Sequence, residues 1–460
     1  MTDHLTLLQM NDSHGYLEPH QELFYAGGPP VYRTAGGYAR IATLLEDARD
    51  ERPGRVLAFD CGDTIHGTYP PAVQSEGEAL VPVLNALAFD AMTAHWEFAY
   101  GPEQFRKVAG KLDYPVLADN CYDDATGDLV FPPPYTVCET DDLAVGVIGI
   151  AATIVDKVMP DSFSKGIHFS LGNAELPPGH IAHLREEEGG VDLVVVISHL
   201  GFPQEVRLAR ETDGIDVLLS GGHTHNRLFE PAVVNDTVII QSGCHGSFLG
   251  RLDLFVENRR VKGGFDHELI VVGEDIRPHP EVEEMVEAVM EPPHREYLSR
   301  VVGETRTGLN RNTVLEATMD NLLLQALIDV TGAEMAFSNG WRYGAPPVPP
   351  GPVMMNDLWD IIPVNPPPVS TVEITGRDLK AMMEENLERT FSRDPPYQQM
   401  GGYVKRCMGV DLYCKIENPA GSGSRSSLRP AEGSTRMPST ARRSSPARVC
   451  RRSTERTGRT

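Results

Sequence analysis

The strongest constraint on this chain is a pattern that recurs four times: an apolar run that stops on a carboxylate or an imidazole. Leu5-Thr6-Leu7-Leu8 leads into Asn11-Asp12-Ser13-His14-Gly15, and Val56-Leu57-Ala58-Phe59 into Asp60-Cys61-Gly62-Asp63. Val194-Val195-Val196-Ile197 ends in Ser198-His199, and Val217-Leu218-Leu219 ends in Ser220-Gly221-Gly222-His223-Thr224-His225. Apolar runs without polar alternation predict strands covered on both faces, as under flanking helices. Helical spacing at Ala39, Ile41, Leu44, Leu45 and Ala48 supplies the first crossover, and the stretch from Gln204 to Glu211 another. In open α/β sheets ligands bind beyond the carboxyl ends of the strands. Asp12, His14, Asp63, His199, His223 and His225 are therefore expected together, as a metal site. Imidazole with carboxylate suits Zn, Mn or Fe better than Mg or Ca. If the first strand stays extended, Asp12 and His14 share a face; the plainer reading of Asn-Asp-Ser-His-Gly is a turn. A short strand at Asp90–Thr93 leads to one more polar end, Ala94-His95-Trp96-Glu97, which adds His95.

The chain is long enough, at 460 residues, for two domains, and its net charge of −24 argues against a broad nucleic-acid or membrane surface. A phosphate substrate then needs cations supplied at the site itself. Seven Cys without a Cys-x-x-Cys pair fit a reduced, cytoplasmic setting. No apolar run reaches membrane-spanning length, and Met1-Thr2-Asp3-His4 reads as running straight into the first strand, so no leader is expected.

After Gly15, residues 16–34 read as a functional loop over the strand ends. Thr237–Gln241, Gly250–Val256 and Phe265–Val272 read as hairpin material closing a second sheet. The expected fold class is α/β: two face-to-face sheets with helices outside over residues 1–275, then one acidic linker helix over 276–300. A smaller α/β domain over 301–420 carries a helix around Ala317–Val330, a strand at Glu334–Ser338 and a strand-like Val410–Ile416. Residues 421–460 turn basic and almost lose apolar residues, which predicts disorder. They read as a partner-binding tail or, preferred, as an out-of-frame end that truncates the second domain.

Asn11-Asp12-Ser13-His14-Gly15, Gly62-Asp63, Ser198-His199 and Gly222-His223-Thr224-His225, in that order, resemble the calcineurin-like metallophosphoesterases. Within them the chain is similar to the 5′-nucleotidase / 2′,3′-cyclic phosphodiesterase family. Ser338-Asn339-Gly340-Trp341-Arg342 resembles a turn of that family's C-terminal domain. The resemblance implies two divalent ions, with Asp12, His14 and His225 on the first, His199 and His223 on the second, and Asp63 between them. It implies hydrolysis of a small phosphate ester, most readily a nucleotide, by a metal-bridged hydroxide. Asn339 and Arg342 would bind substrate. One aromatic platform for a nucleobase is missing, since Pro363-Val364-Asn365 stands where the family has Phe.

The chain departs from the family at its Gly-Asn-His-Glu motif. Aligned on Glu97, His95 replaces the Asn ligand and Trp96 replaces the catalytic His. Imidazole still ligates, so His95 is expected as a ligand or a substitute acid. Indole has only an N–H donor and cannot shuttle a proton. A similar His-Trp-Glu-Phe occurs in the dimanganese thiosulfohydrolase of bacterial sulfur oxidation. The alternatives are thus a thiosulfohydrolase-like enzyme, or a nucleotide- or metal-binding pseudo-enzyme. His245 reads as a supporting residue or a turn, Cys61 as a buried filler, and His66 as a solvated loop residue.

Overall fold

The computed structural model describes residues 3–25, 27–65, 70–170, 177–186, 190–222, 224–312, 315–341, 346–361, 369–394, 397, 402–417 and 447–449. The chain divides into two compact units, residues 1–303 with 352–365, and residues 304–351 with 366–460.

In the first unit, among the described residues, two sheets dominate. One runs β15 (Val261–Val271), β14 (Phe248–Val256), β1 (Asp3–Met10), β4 (Val56–Asp60), β5 (Ala91–Met92). β1 is parallel to β4 and antiparallel to β14. The other runs β12 (Ala232–Val234), β13 (Thr237–Ile240), β11 (Val217–Ser220), β10 (Leu193–Ser198), β8 (Ala144–Ile150), β7 (Tyr135–Glu139), its middle four strands parallel. β2 (His20–Phe24) and β3 (Val31–Ala35) form a separate hairpin, and β6 (Cys121–Asp123) pairs with β9 (Ile167–Phe169).

Residue parity explains the packing. Along β10, Leu193, Val195 and Ile197 join Leu5, Leu7, Leu57, Phe59, Leu252 and Leu254 of the other sheet in one core. Val194 and Val196 face the opposite way, onto Leu184 and Leu208 from the helices Pro177–Glu186 and Phe202–Glu211. Each such side chain is worth about 1.5–3 kcal/mol when fully buried. A continuous apolar run therefore lies between a sheet and a helix layer, not between two helix layers.

Several expectations change on contact with the structure. The β14–β15 hairpin extends the first sheet beside β1, while β13 joins the second. The loop expected over 16–34 contains the β2–β3 hairpin; its strands are short and its turn carries Gly and Pro, so period-2 alternation is faint. Residues 277–300 form two helices, Pro280–Val289 and Pro292–Leu298, because Pro292-Pro293 can start a helix but not continue one.

In the second unit, strand Ala336–Trp341 pairs antiparallel with Gly402–Met408, and Val410–Ile416, expected as a strand, is irregular. Within the tail expected to be disordered, Ala447–Val449 forms a short strand that pairs antiparallel with Val372–Ile374. The helix Gly376–Thr390 starts at a capping box between Thr375 and Asp378. It buries Leu379, Met383 and Leu387 against Met335 and Val404. In the first turn of the helix Thr318–Thr331, buried Asp320 holds both Arg311 (2.7 Å) and Arg406 (2.9 Å). Residues 418–446 and 450–460 of the basic tail lie outside the described residues. Among those described, no helix is long and apolar enough to cross a membrane.

Candidate metal centre

β1 ends at Met10, and the chain then turns. Asp12 (φ 51°), His14 (54°), Asp63 (59°) and His225 (44°) all sit in the left-handed region. Asp12 and His14 therefore converge through a loop and not along one face of a strand. Left-handed non-glycine residues each cost roughly 1–3 kcal/mol and cluster at functional sites. Gly221 is needed for a different reason. A Cβ there would lie 2.6 Å from the Cys61 carbonyl and 2.8 Å from the His199 ring.

Asp12 is divided between two tasks. Its Oδ2 accepts from Asn11 Nδ2 (2.7 Å) and the Gly222 amide (2.9 Å). Its Oδ1 is buried, accepts no hydrogen bond, and is ringed by three imidazoles. The Nε2 atoms of His225, His199 and His14 lie 2.8, 3.5 and 4.0 Å away. Asp63 Oδ2 lies 3.4 Å from His14 Nε2 and 3.0 Å from His95 Nδ1, so this carboxylate stands between the two clusters. Asp12, His14 and His225 form one buried group with ligand atoms within 4.8 Å of each other, and Asp63, His95 and His199 form another.

The donor set fits divalent ions. Burial pulls His199 down to about 4 and holds His225 well below the usual imidazole range, so both offer lone pairs at neutral pH. Burial also raises Asp12, against the opposing pull of His199. Carboxylates sunk among neutral imidazoles are unfavourable unless a cation joins them. The His199 tautomer is set as in metal proteins, with Nδ1–H donating to the Cys61 carbonyl (2.5 Å) and Nε2 turned to the site.

Of the residues expected here, Asp12, His14, Asp63, His95, His199 and His225 come together. His223 and Arg342 lie outside the described residues, as does His66. Asn339 is exposed in the second unit, where its Oδ1 accepts from Lys405 Nζ (3.0 Å). Cys61 is fully buried, and burial pushes its thiol well up, as suits a filler. Trp96 is buried edge-on against Phe163, with ring centroids 5.4 Å apart.

Three supporting residues, Glu97, Gln241 and Glu22, were not singled out by the sequence, whereas His245 was. Glu97 accepts the backbone N–H groups of His95 (2.6 Å), Thr64 (2.7 Å), Ile65 (3.1 Å) and Asp63 (3.3 Å), tying two ligand loops together. Its place in His-Trp-Glu-Phe was the available signal. Gln241 braces the His225 loop, donating to the Gly221 carbonyl and accepting from Thr224 and the Asn226 amide. Glu22 and His245 form a hydrogen-bonded pair beside His14.

Comparison with known proteins bears on the family and the fold. Residues 301–428 match the model of the 5′-nucleotidase C-terminal domain. The chain is 24% identical over 420 residues to Endonuclease YhcR of Bacillus subtilis, covering 85% of this chain and 33% of that protein. It is 29% identical over 220 residues to a probable 5′-nucleotidase of Treponema pallidum, covering 47% of this chain and 36% of that one. The chain thus spans about a third of the length of these two relatives. The solved sulfate thiohydrolase SoxB of Thermus thermophilus is similar with a TM-score of 0.85 at 25% identity, over 97% of this chain and 88% of that one. The fold, the matched C-terminal domain and these relatives agree: the chain is similar to the calcineurin-like 5′-nucleotidases, and its residues 301–428 match their C-terminal domain.

Proposed function

We propose that this protein is a metal-dependent hydrolase of small phosphate esters, with nucleotides as the substrate class. The observation that carries the reading is the buried convergence of Asp12, His14 and His225 with Asp63, His95 and His199. Asp12, His14 and His225 would hold one ion, and His95, His199 and His223 a second, with Asp63 shared. Such ions polarise phosphoryl oxygens and make water a competent nucleophile at neutral pH. The chain's own contribution is placement. Asn11 and Gly222 turn Asp12 Oδ1 inward, Cys61 turns His199 Nε2 inward, and Glu97 fixes the loops that carry Asp63 and His95. Asn339 and Arg342 are proposed substrate contacts, since a guanidinium can bind a phosphate through two donors.

A second reading has its own support. Trp96 cannot donate a proton to a leaving group and take it back, and the likeness to the sulfate thiohydrolase covers nearly the whole chain. Hydrolysis at sulfur, where the leaving group needs less protonation, is therefore the competing activity.

The test is phosphate release from nucleoside 5′-monophosphates with added Mn²⁺, beside a His199→Ala control. Release that disappears in the control supports the nucleotidase reading. Metal-loaded protein that releases no phosphate but hydrolyses a thiosulfonate would transfer the assignment to sulfur.

A further inference from the structure

We propose that Glu22 and His245 are positioning residues for the first metal position, setting the placement of Asp12 and His14. The inference rests on the metal reading above. Glu22 is buried, and all its acceptor capacity faces inward. Its Oε1 accepts from Arg227 Nη2 (2.8 Å) and the Leu23 amide (2.8 Å). Its Oε2 accepts from Ser247 Oγ (2.9 Å) and from His245 Nδ1 (3.3 Å). That last bond puts the His245 proton on Nδ1. The other nitrogen, Nε2, is buried and makes no hydrogen bond.

His245 reaches the ligand loop in two ways. Its backbone N–H donates to the Asp12 carbonyl (2.7 Å), from a left-handed conformation (φ 62°). Its ring packs on that of His14 (centroids 5.3 Å apart) and edge-on against Tyr16 (5.3 Å). Asp12 and His14 are themselves left-handed. Two successive ligands in a strained loop need an outside restraint, and the Arg227–Glu22–His245 chain is one. His20, Glu22 and His245 also have the makings of an ion site of their own. Arg227 rules this out: its guanidinium already occupies the carboxylate, and a second cation would face it at close range.

Glu22→Gln presents an amide N–H to His245 Nδ1 and moves the imidazole proton to Nε2. His245→Asn keeps the backbone N–H and tolerates the left-handed conformation, but removes the ring. Mn²⁺ titration of the full chain, followed by the electron paramagnetic resonance of the coupled ion pair, reads both positions. His14→Ala and His199→Ala serve as references for the first and second. The expected result is a tenfold or greater loss of affinity at the first position in both variants, within the usual range for residues that support a metal ligand. The second position stays unchanged, and ¹⁵N spectra of Glu22→Gln show the His245 tautomer reversed. If Glu22→Gln does not fold, His245→Asn carries the test. Wild-type affinities in the variants, or equal weakening of both positions, would overturn the proposal. Wild-type protein that takes up no Mn²⁺ would overturn the metal reading as well.

Discussion

His199 donates its Nδ1–H to the carbonyl of Cys61, 138 residues earlier in the chain and on the other sheet. This one bond selects the tautomer, orients the ring and joins the ends of β10 and β4. Gly221 makes it possible, because any side chain there would occupy the space between the two partners. Gly221→Ala should therefore displace the His199 ring. Mn²⁺ stoichiometry should fall below that of the wild type with little change in secondary structure, read by metal analysis beside circular dichroism.

Metal binding should stabilise the fold by mass action, since an ion that binds only the native state adds about 2.7 kcal/mol at a hundred times its Kd. Melting with and without Mn²⁺ measures this, and a rise of several degrees is expected. Asp12→Asn should remove that rise while leaving the metal-free protein at least as stable, because a buried carboxylate beside the neutral imidazoles of His199 and His225 is costly to keep.

Trp96→His should raise turnover on esters with poor leaving groups and do less for activated ones. General acid–base assistance is typically worth about 10²–10⁴-fold. The substitution also empties part of the packing against Phe163, at a cost of roughly 2–4 kcal/mol. Rates on an alkyl and a nitrophenyl phosphate separate the two effects. Equal changes on both would mean that residue 96 does not supply a proton.

Glu97→Gln should lower activity more than stability, and Glu97→Ala should harm both. Gln retains one acceptor oxygen for four amides that now share a carboxylate. A buried donor left unsatisfied costs about 1–3 kcal/mol. Urea denaturation beside kcat checks the order.

Glu205 gives a pH dependence. Burial, only partly offset by hydrogen bonds from Ser220 and Ser198, raises its carboxyl from 4.5 to about 8. The folded state thus holds a proton that the unfolded chain loses near 4.5. Its contribution is fully present below that pH and is lost as pH rises through about 8, at up to about 1.4 kcal/mol per unit. Glu205→Gln should match wild type near pH 4 and exceed it in stability above pH 8, in chelator-treated protein. Parallel stability curves would refute the assignment.

The strand ends were readable because residues such as Val194–Ile197 have no polar interruption, whatever covers them. Which layer covers each face was not readable: Val195 and Val196 are chemically alike, yet one meets a sheet and the other a helix. Asp12 and His14 were legible as ligand types, but their backbone conformation depends on His245 and Asp63, far away in sequence. Glu97 was hidden for a related reason. Its partners are backbone amides, which leave no trace in residue identity. The hairpin after Gly15 was missed because the buried residues of its first strand, Glu22 and Leu23, are adjacent rather than alternating, and Glu22 is charged, with its partners His245, Ser247 and Arg227 distant in sequence.

The donors of the two metal clusters belong to loops that leave both sheets, and Asp12 already meets Gly222 across 210 residues of chain. Metal ions held there would act as a clasp on a long loop. Its closure removes freedom from partly opened forms in the way that a cross-link would. Loaded protein should separate its sheets slowly and resist proteases. Chelation would then work as a timer on the protein's lifetime, independent of any effect on catalysis.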